Sequence, residues 1–357
     1  RLLSLGVASV ALLGTACSPD RGVDETGISK TLSAIRDDAQ LNGYFLLRPI
    51  ATSGFSKKME SLSDGEEVGV STDELDRLFK ELGLENEHFY DFGFSLGGLD
   101  RISRMEELET PEGMARLSLL GAIRVTRQLS ADQIAAAFAK ANEEMGANFP
   151  TVRSQRQNLQ WIRYQEPPQG PEMVMAVENY AGGTILWFGD ELAIISSVNR
   201  PREAFPEQHV ATVRDLLPEV NGWFSFLVPE ALRRAMQGEL QRQGTPFPAL
   251  RNATTIQSFG MAVNVDEAFS FAMAAAFASE RDAQAVNQLF DGFGLGMLKG
   301  FVFSSPEAQE LSFINDLTSR VDGDSIRMGL TITQRDLEVL QQMGTGAFGP
   351  STPVEFE

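Results

Sequence analysis

The chain has 357 residues, 43% hydrophobic and 22% charged, an ordinary globular composition with length for one large core or two smaller ones. A net charge of −19 argues against a nucleic-acid or anionic-lipid surface. Two histidines and one cysteine leave little for a metal site, a nucleophile or an internal disulfide.

In chain order, the first feature is an apolar run from Leu2 to Leu13, followed by Gly14, Thr15, Ala16 and Cys17, and then by polar Ser18, Pro19 and Asp20. This is the layout of a secretion segment with a small-residue cleavage site, too short to span a bilayer as a helix. With a cysteine directly after the small residues, it resembles a bacterial lipoprotein signal. The resemblance covers these twenty residues only. It implies a signal peptide over 1–16, an acylated Cys17 carrying chains such as palmitate, a lipidated tether over 17–30, and a place in the cell envelope. Ser18 resembles the residue after the cysteine in lipoproteins sent on to the outer membrane. The family pattern has Leu, Val or Ile where Gly14 stands. Gly14 and Ala16 also suit an ordinary signal peptidase, which would release a soluble protein beginning at Cys17.

After residue 30 the chain repeats itself. AIRDDAQLNGYFLLRP (34–49) resembles TVRDLLPEVNGWFSFLVP (212–229), DFGFSLGGLD (91–100) resembles SFGMAVNVDE (258–267), SADQIAAAF (130–138) resembles SERDAQAVNQLF (279–290), and GDELAIISSV (189–198) resembles GDSIRMGLTI (323–332). Four matches in one order predict a tandem duplication of an antiparallel-sheet-plus-helices unit, spanning 31–205 and 206–343, with a flexible tail over 344–357. Each copy reads as a strand opening at an Asn-Gly turn and ending at Pro49 or Pro229, a short helix, two strands, a capped helix, a hairpin and a last helix. In the third strand Leu117, Leu119, Ile123 and Val125 form the core parity, and Arg116, Ser118 and Arg124 the solvated one. Its partner has Phe269, Phe271, Met273 and Phe277 on one parity and only Ser or Ala on the other, a small-residue face expected to lie under a helix or a ligand. Ser130 with Gln133 and Ser279 with Asp282 mark helix starts. Hairpins are expected at Gly189-Asp190 and Asp322-Gly323. Antiparallel strands interrupted by helices indicate α+β, as two similar sheets that the short link near 200–215 allows to join edge to edge.

Candidate chemistry is sparse. Gly292, Gly294 and Gly296 follow a helix rather than a strand, so they read as a connection and not as a dinucleotide loop. The acidic run from Glu60 to Asp76 lacks the ordered ladder of a calcium loop and reads as a solvated segment. His88 and His209 have no second ligand at metal spacing and read as surface residues. No Gly-x-Ser-x-Gly elbow or Ser-x-x-Lys is present. Tyr44 and Trp223 hold equivalent places in the two copies and read as core aromatics, or as the walls of paired ligand pockets. The expectation is therefore a non-enzymatic envelope lipoprotein without cofactor or metal, binding an envelope protein partner or an apolar ligand and no nucleic acid. The rival readings are a carboxylate-based periplasmic hydrolase and a purely structural surface lipoprotein.

Overall fold

The computed structural model describes residues 30–62, 79–144, 151–156, 159–165, 172–199, 205–243, 249–296, 307–313 and 317–347. Cys17 and the tether as far as residue 29 lie outside the described residues, as do 63–78, with most of the acidic run, and the tail from 348 onward.

The fold is α+β, built on one twelve-stranded antiparallel sheet. Its strands are β1 (Leu41–Leu46), β2 (Phe89–Gly97), β3 (Ser118–Val125), β4 (Thr151–Arg156), β5 (Leu159–Gln165), β6 (Glu172–Tyr180), β7 (Gly183–Gly189), β8 (Gly222–Leu227), β9 (Ser258–Val265), β10 (Ala268–Ala276), β11 (Thr318–Asp322) and β12 (Ser325–Thr333). Their order is β11-β12-β10-β9-β8-β1-β2-β3-β7-β6-β5-β4. Outward from the centre, β1, β2, β3, β7, β6 on one side mirror β8, β9, β10, β12, β11 on the other. The two expected repeats therefore share one continuous sheet, joined where β1 pairs with β8. In that join Tyr44 lies opposite Trp223, Gly43 opposite Phe224 and Phe45 opposite Gly222.

Asn42 and Gly43 lie inside β1 and do not form a turn. The Asn42 amide is occupied locally, accepting from Arg36 N at 3.0 Å and donating to Arg36 O at 2.8 Å. Gly43 is required for another reason: a Cβ there would lie 2.2 Å from the Phe94 ring.

Helices α1 (Leu47–Ala51), α2 (Gly54–Leu62), α3 (Ala131–Glu144), α4 (Glu191–Val198), α5 (Glu207–Val213), α6 (Glu230–Gln243), α7 (Glu280–Leu289) and α8 (Gln334–Ala347) cover both faces. On the face that carries Phe45, α1 and α2 supply Leu47, Ile50 and Phe55, and α8 adds Leu337. Further along the same face α3 packs Ile134 and Ala135 on Ile162, Val177 and Leu186, while α7 packs Ala283 on Ile326. On the face that carries Tyr44, α4 sets Ala193 and Ile194 against Leu120, Ala122 and Trp187. Because both faces are covered, strict inside–outside alternation fails.

That failure explains the main departures from the sequence reading. Arg124, expected to face water, is 1% exposed because its side of β3 is buried as deeply as the other. Residues 191–198, expected as the second arm of a hairpin at Gly189-Asp190, form α4. The Asp190 carboxylate accepts from Ala193 N at 2.9 Å and caps the helix, and β6 and β7 pair with Tyr180 opposite Gly183, a hairpin closed at Ala181-Gly182. The Asp322-Gly323 hairpin forms as expected, so Asp190 and Asp324 stand on different elements. Tyr44 pairs with Gly93 whereas Trp223 pairs with Ala262, two residues from the Gly260 of the sequence match. The helix starts at Ser130 and Ser279 form, each with its serine hydroxyl accepting a backbone amide. The last helix continues to Ala347, four residues into the segment read as tail.

Candidate functional site

The sheet carries two unusual surfaces, one polar and sealed, the other apolar and partly open. The polar one lies under Tyr44. Asp91, completely buried on β2, accepts from Arg124 Nε at 3.2 Å and Nη2 at 2.7 Å, from the Tyr44 hydroxyl at 2.8 Å and from the Thr31 hydroxyl at 2.9 Å. The Arg124 guanidinium also lies 3.8 Å from the centre of the Tyr90 ring, a cation–π contact. Burial pushes the Asp91 carboxyl above the usual range, and Arg124 with the two hydroxyls pulls it back. Burial and then Asp91 raise the Tyr44 phenol well above its ordinary value, so it stays protonated and donates. Thr31, Tyr44, Asp91 and Arg124 are all buried. The sequence signal for it was opposite charges on neighbouring strands, and the alternation in β3 concealed it by assigning Arg124 to water.

The apolar surface lies on the Phe45 face. Because paired residues of antiparallel strands share a face, the registers define a continuous cross-strand row: Met175, Phe188, Gly121, Phe94, Gly43, Phe224, Met261, Met273 and Met328. Beside it runs a second, of Leu119, Leu96, Leu41, Phe226, Phe259, Ala275 and Ile326. Apart from the two glycines and Ile326, every member is only partly buried. The rings lie flat over the glycines: a Cβ on Gly121 would meet the Phe188 ring at 2.1 Å, as one on Gly43 would meet Phe94. Phe94 stacks on Phe92 at 5.3 Å between centres, and Phe224 lies 5.4 Å from Phe259. Between these ends neither row holds a polar side chain; the register carries the first on through Ile162 to Arg153 at one edge and to Ser319 at the other. Thioethers and rings over glycine make a soft, adaptable surface.

Two clefts open elsewhere. One of about 490 Å³ is lined by polar groups including Ser33, Arg36, Asp38, Ser118 and Asp190, with Arg36 already bound by Asp38 and Ser118. A smaller one, of about 390 Å³, lies beside Lys80, Arg127 and Lys140, where Lys140 is paired with Glu81. Neither lining includes Asp91, Arg124 or Tyr44.

The remaining candidates separate. Tyr44 and Trp223 are buried and come together at the central join, both against Phe205. His88 lies in a short 3₁₀ turn, its Nδ1 accepting from Glu85 N at 2.9 Å. His209, expected at the surface, is fully buried. Gly292 and Gly294 continue the chain past α7 in a wide helical turn. On the small-residue face Ala272 is buried while Ala274 and Ala276 are partly exposed, and α5 comes so close that a Cβ on Gly260 would lie 2.3 Å from the Thr212 carbonyl. Among the described residues no group of His, Cys, Asp and Glu converges as for a metal ion, and no helix is long and apolar enough to cross a membrane. The chain matches no known protein family, no curated protein and no solved structure.

Proposed function

We propose that this is a lipid-anchored protein of the bacterial cell envelope, probing or carrying an apolar ligand rather than catalysing a reaction, and that the ligand lies along the Met and Phe rows of the Phe45 face. The observation that carries the reading is the pair of rows without a polar side chain. From Phe188 to Met261 the first row crosses five strand spacings, about 24 Å at 4.8 Å each, a length suited to an extended hydrocarbon chain. The strands beneath are interior, with their backbone groups engaged on both sides, so the surface offers a peptide no hydrogen bonds. That favours a hydrocarbon over a peptide partner. The Cys17 anchor rests on the N-terminal resemblance, and a common origin of the two halves rests on the mirrored strand order.

Titration with a fluorescent fatty acid tests the ligand. Saturable binding is expected, weakened by Phe94→Ala and Met261→Ala and unaffected by Arg335→Ala on α8. Absence of saturable binding removes the carrier reading and favours a scaffold that binds an envelope protein partner over a purely structural envelope protein. The anchor is tested by mass spectrometry of the mature protein and by fractionating Cys17→Ser, which should remain unprocessed or leave the membrane.

A further inference from the structure

His209 reaches to both sides of the central join. Its Nε2 lies 3.1 Å from the carbonyl oxygen of Ala39, in the turn that leads into β1, and its Nδ1 lies 3.0 Å from the Ser225 hydroxyl on β8. Close by, Leu227 N of β8 donates to the Gln40 carbonyl at 2.7 Å, so the ring stands over the place where the two halves meet. A carbonyl can only accept. In the neutral ring the proton therefore sits on Nε2, and Nδ1 accepts from Ser225. Ser225 Oγ in turn accepts from the Thr212 hydroxyl, 2.7 Å away. Every polar atom in this neutral chain has its partner.

A second proton changes the direction of the whole chain. Nδ1 becomes a donor, Ser225 must accept from it and turn its own hydrogen to Thr212, and Thr212 must turn to the His209 carbonyl at 2.8 Å. A positive charge then sits in a fully buried place. The charged groups around it are few. Asp37 in the turn before β1 is the one that attracts the proton. Arg36 and Asp38 of that turn are paired with one another, and Glu207 at the start of α5 is paired with Arg214. The residues of β8, β9 and β10 that share the Tyr44 face are uncharged.

We propose that His209 is a proton-operated latch: neutral, it holds α5 across the join of β1 and β8, and protonated, it lets α5 lift from the sheet. Burial holds the imidazole below its ordinary range, against the opposing pull of its hydrogen bond to Ala39 and of Asp37. With the folded value depressed, the latch is whole above the ordinary histidine pKa of about 6.5 and weakens as pH falls toward the folded value.

The full chain has two histidines, which makes the test direct. Proton NMR should show the His209 imidazole titrating below the ordinary histidine value of about 6.5. Hydrogen exchange, corrected for the intrinsic pH dependence, should show α5 amides losing protection by up to about tenfold per pH unit between about pH 6.5 and that midpoint and levelling off below it, while β2 and β3 keep theirs. In His209→Gln the α5 protection should no longer vary with pH, and His88→Gln should behave as the wild type. Constant α5 protection in the wild type, or the same loss in His209→Gln, overturns the latch. Should His209→Gln not fold, the wild type decides alone: a loss of protection that does not begin near pH 6.5 and level off at the His209 midpoint overturns it too.

Discussion

Tyr44 and Trp223 face each other across the central strand pair, and the single ring of Phe205 packs edge-on against both, 5.2 Å from one and 5.0 Å from the other. The arrangement welds the two halves of the sheet with aromatic area on one face while the β1–β8 ladder supplies the hydrogen bonds. The two residues differ in one respect. Only Tyr44 has a hydroxyl, and Asp91 uses it.

Substitution at the two positions should therefore separate packing from polar satisfaction. Trp223→Ala is expected to cost about 3–5 kcal/mol through the cavity it leaves. Tyr44→Phe keeps the ring and removes one donor from a buried carboxylate, for about 1–3 kcal/mol. Urea unfolding measures both. A Tyr44→Phe variant as stable as the wild type would show that Asp91 does not depend on the phenol.

Arg124 should be the costlier polar loss. Arg124→Met leaves Asp91 buried and unpaired, a change worth about 3–5 kcal/mol. Replacing both partners, as Asp91→Leu with Arg124→Met, removes the stranded charge and should recover much of the loss. If the double variant is as unstable as the sum of the single ones, the pair is not acting as a unit.

The glycines under the aromatic rows should tolerate no side chain. Gly43→Ala drives a Cβ into the Phe94 ring and should cost about 1–3 kcal/mol by overpacking. Phe94→Leu in the same chain relieves the clash and should restore part of the stability. Melting temperatures of the three variants check this, and an unaltered Gly43→Ala would mean that the ring moves freely.

Asp336 supplies a pH dependence of known sign. Its carboxylate takes the Thr333 and Ser312 amides at 2.8 and 2.6 Å and both their hydroxyls, capping α8 and tying it to the segment before β11. Burial acts to raise this carboxyl, but the four donors outweigh it and hold it below the ordinary range. Its contribution is thus complete above the unfolded value of about 3.9 and is lost as pH falls through the folded value. Asp336→Ala should be less stable than the wild type at pH 7, with the gap closing below about pH 4. A gap that is constant with pH would place the effect in packing alone.

Local side-chain chemistry made the kinds of element and much of their order legible along the chain. Capping pairs at Ser130 and Ser279 fixed two helix starts because those side chains act on amides within one turn, and Asp322-Gly323 fixed a hairpin for the same local reason. The aromatic correspondence of Tyr44 and Trp223 was also legible, as was the absence of a familiar catalytic motif. Burial was decided by tertiary structure. Arg124, Asp91 and His209 are polar, and nothing within a few residues of each shows that a helix covers the second face of the sheet. Residues 191–198 could alternate as a strand or wind as a helix, and the Asp190 cap together with the Ala193 and Ile194 contacts chose the helix. The Met and Phe rows likewise exist only across strands. Their members lie far apart along the chain, and registry brings them together, because cross-strand neighbours are set by hydrogen-bond pairing and not by spacing in the sequence.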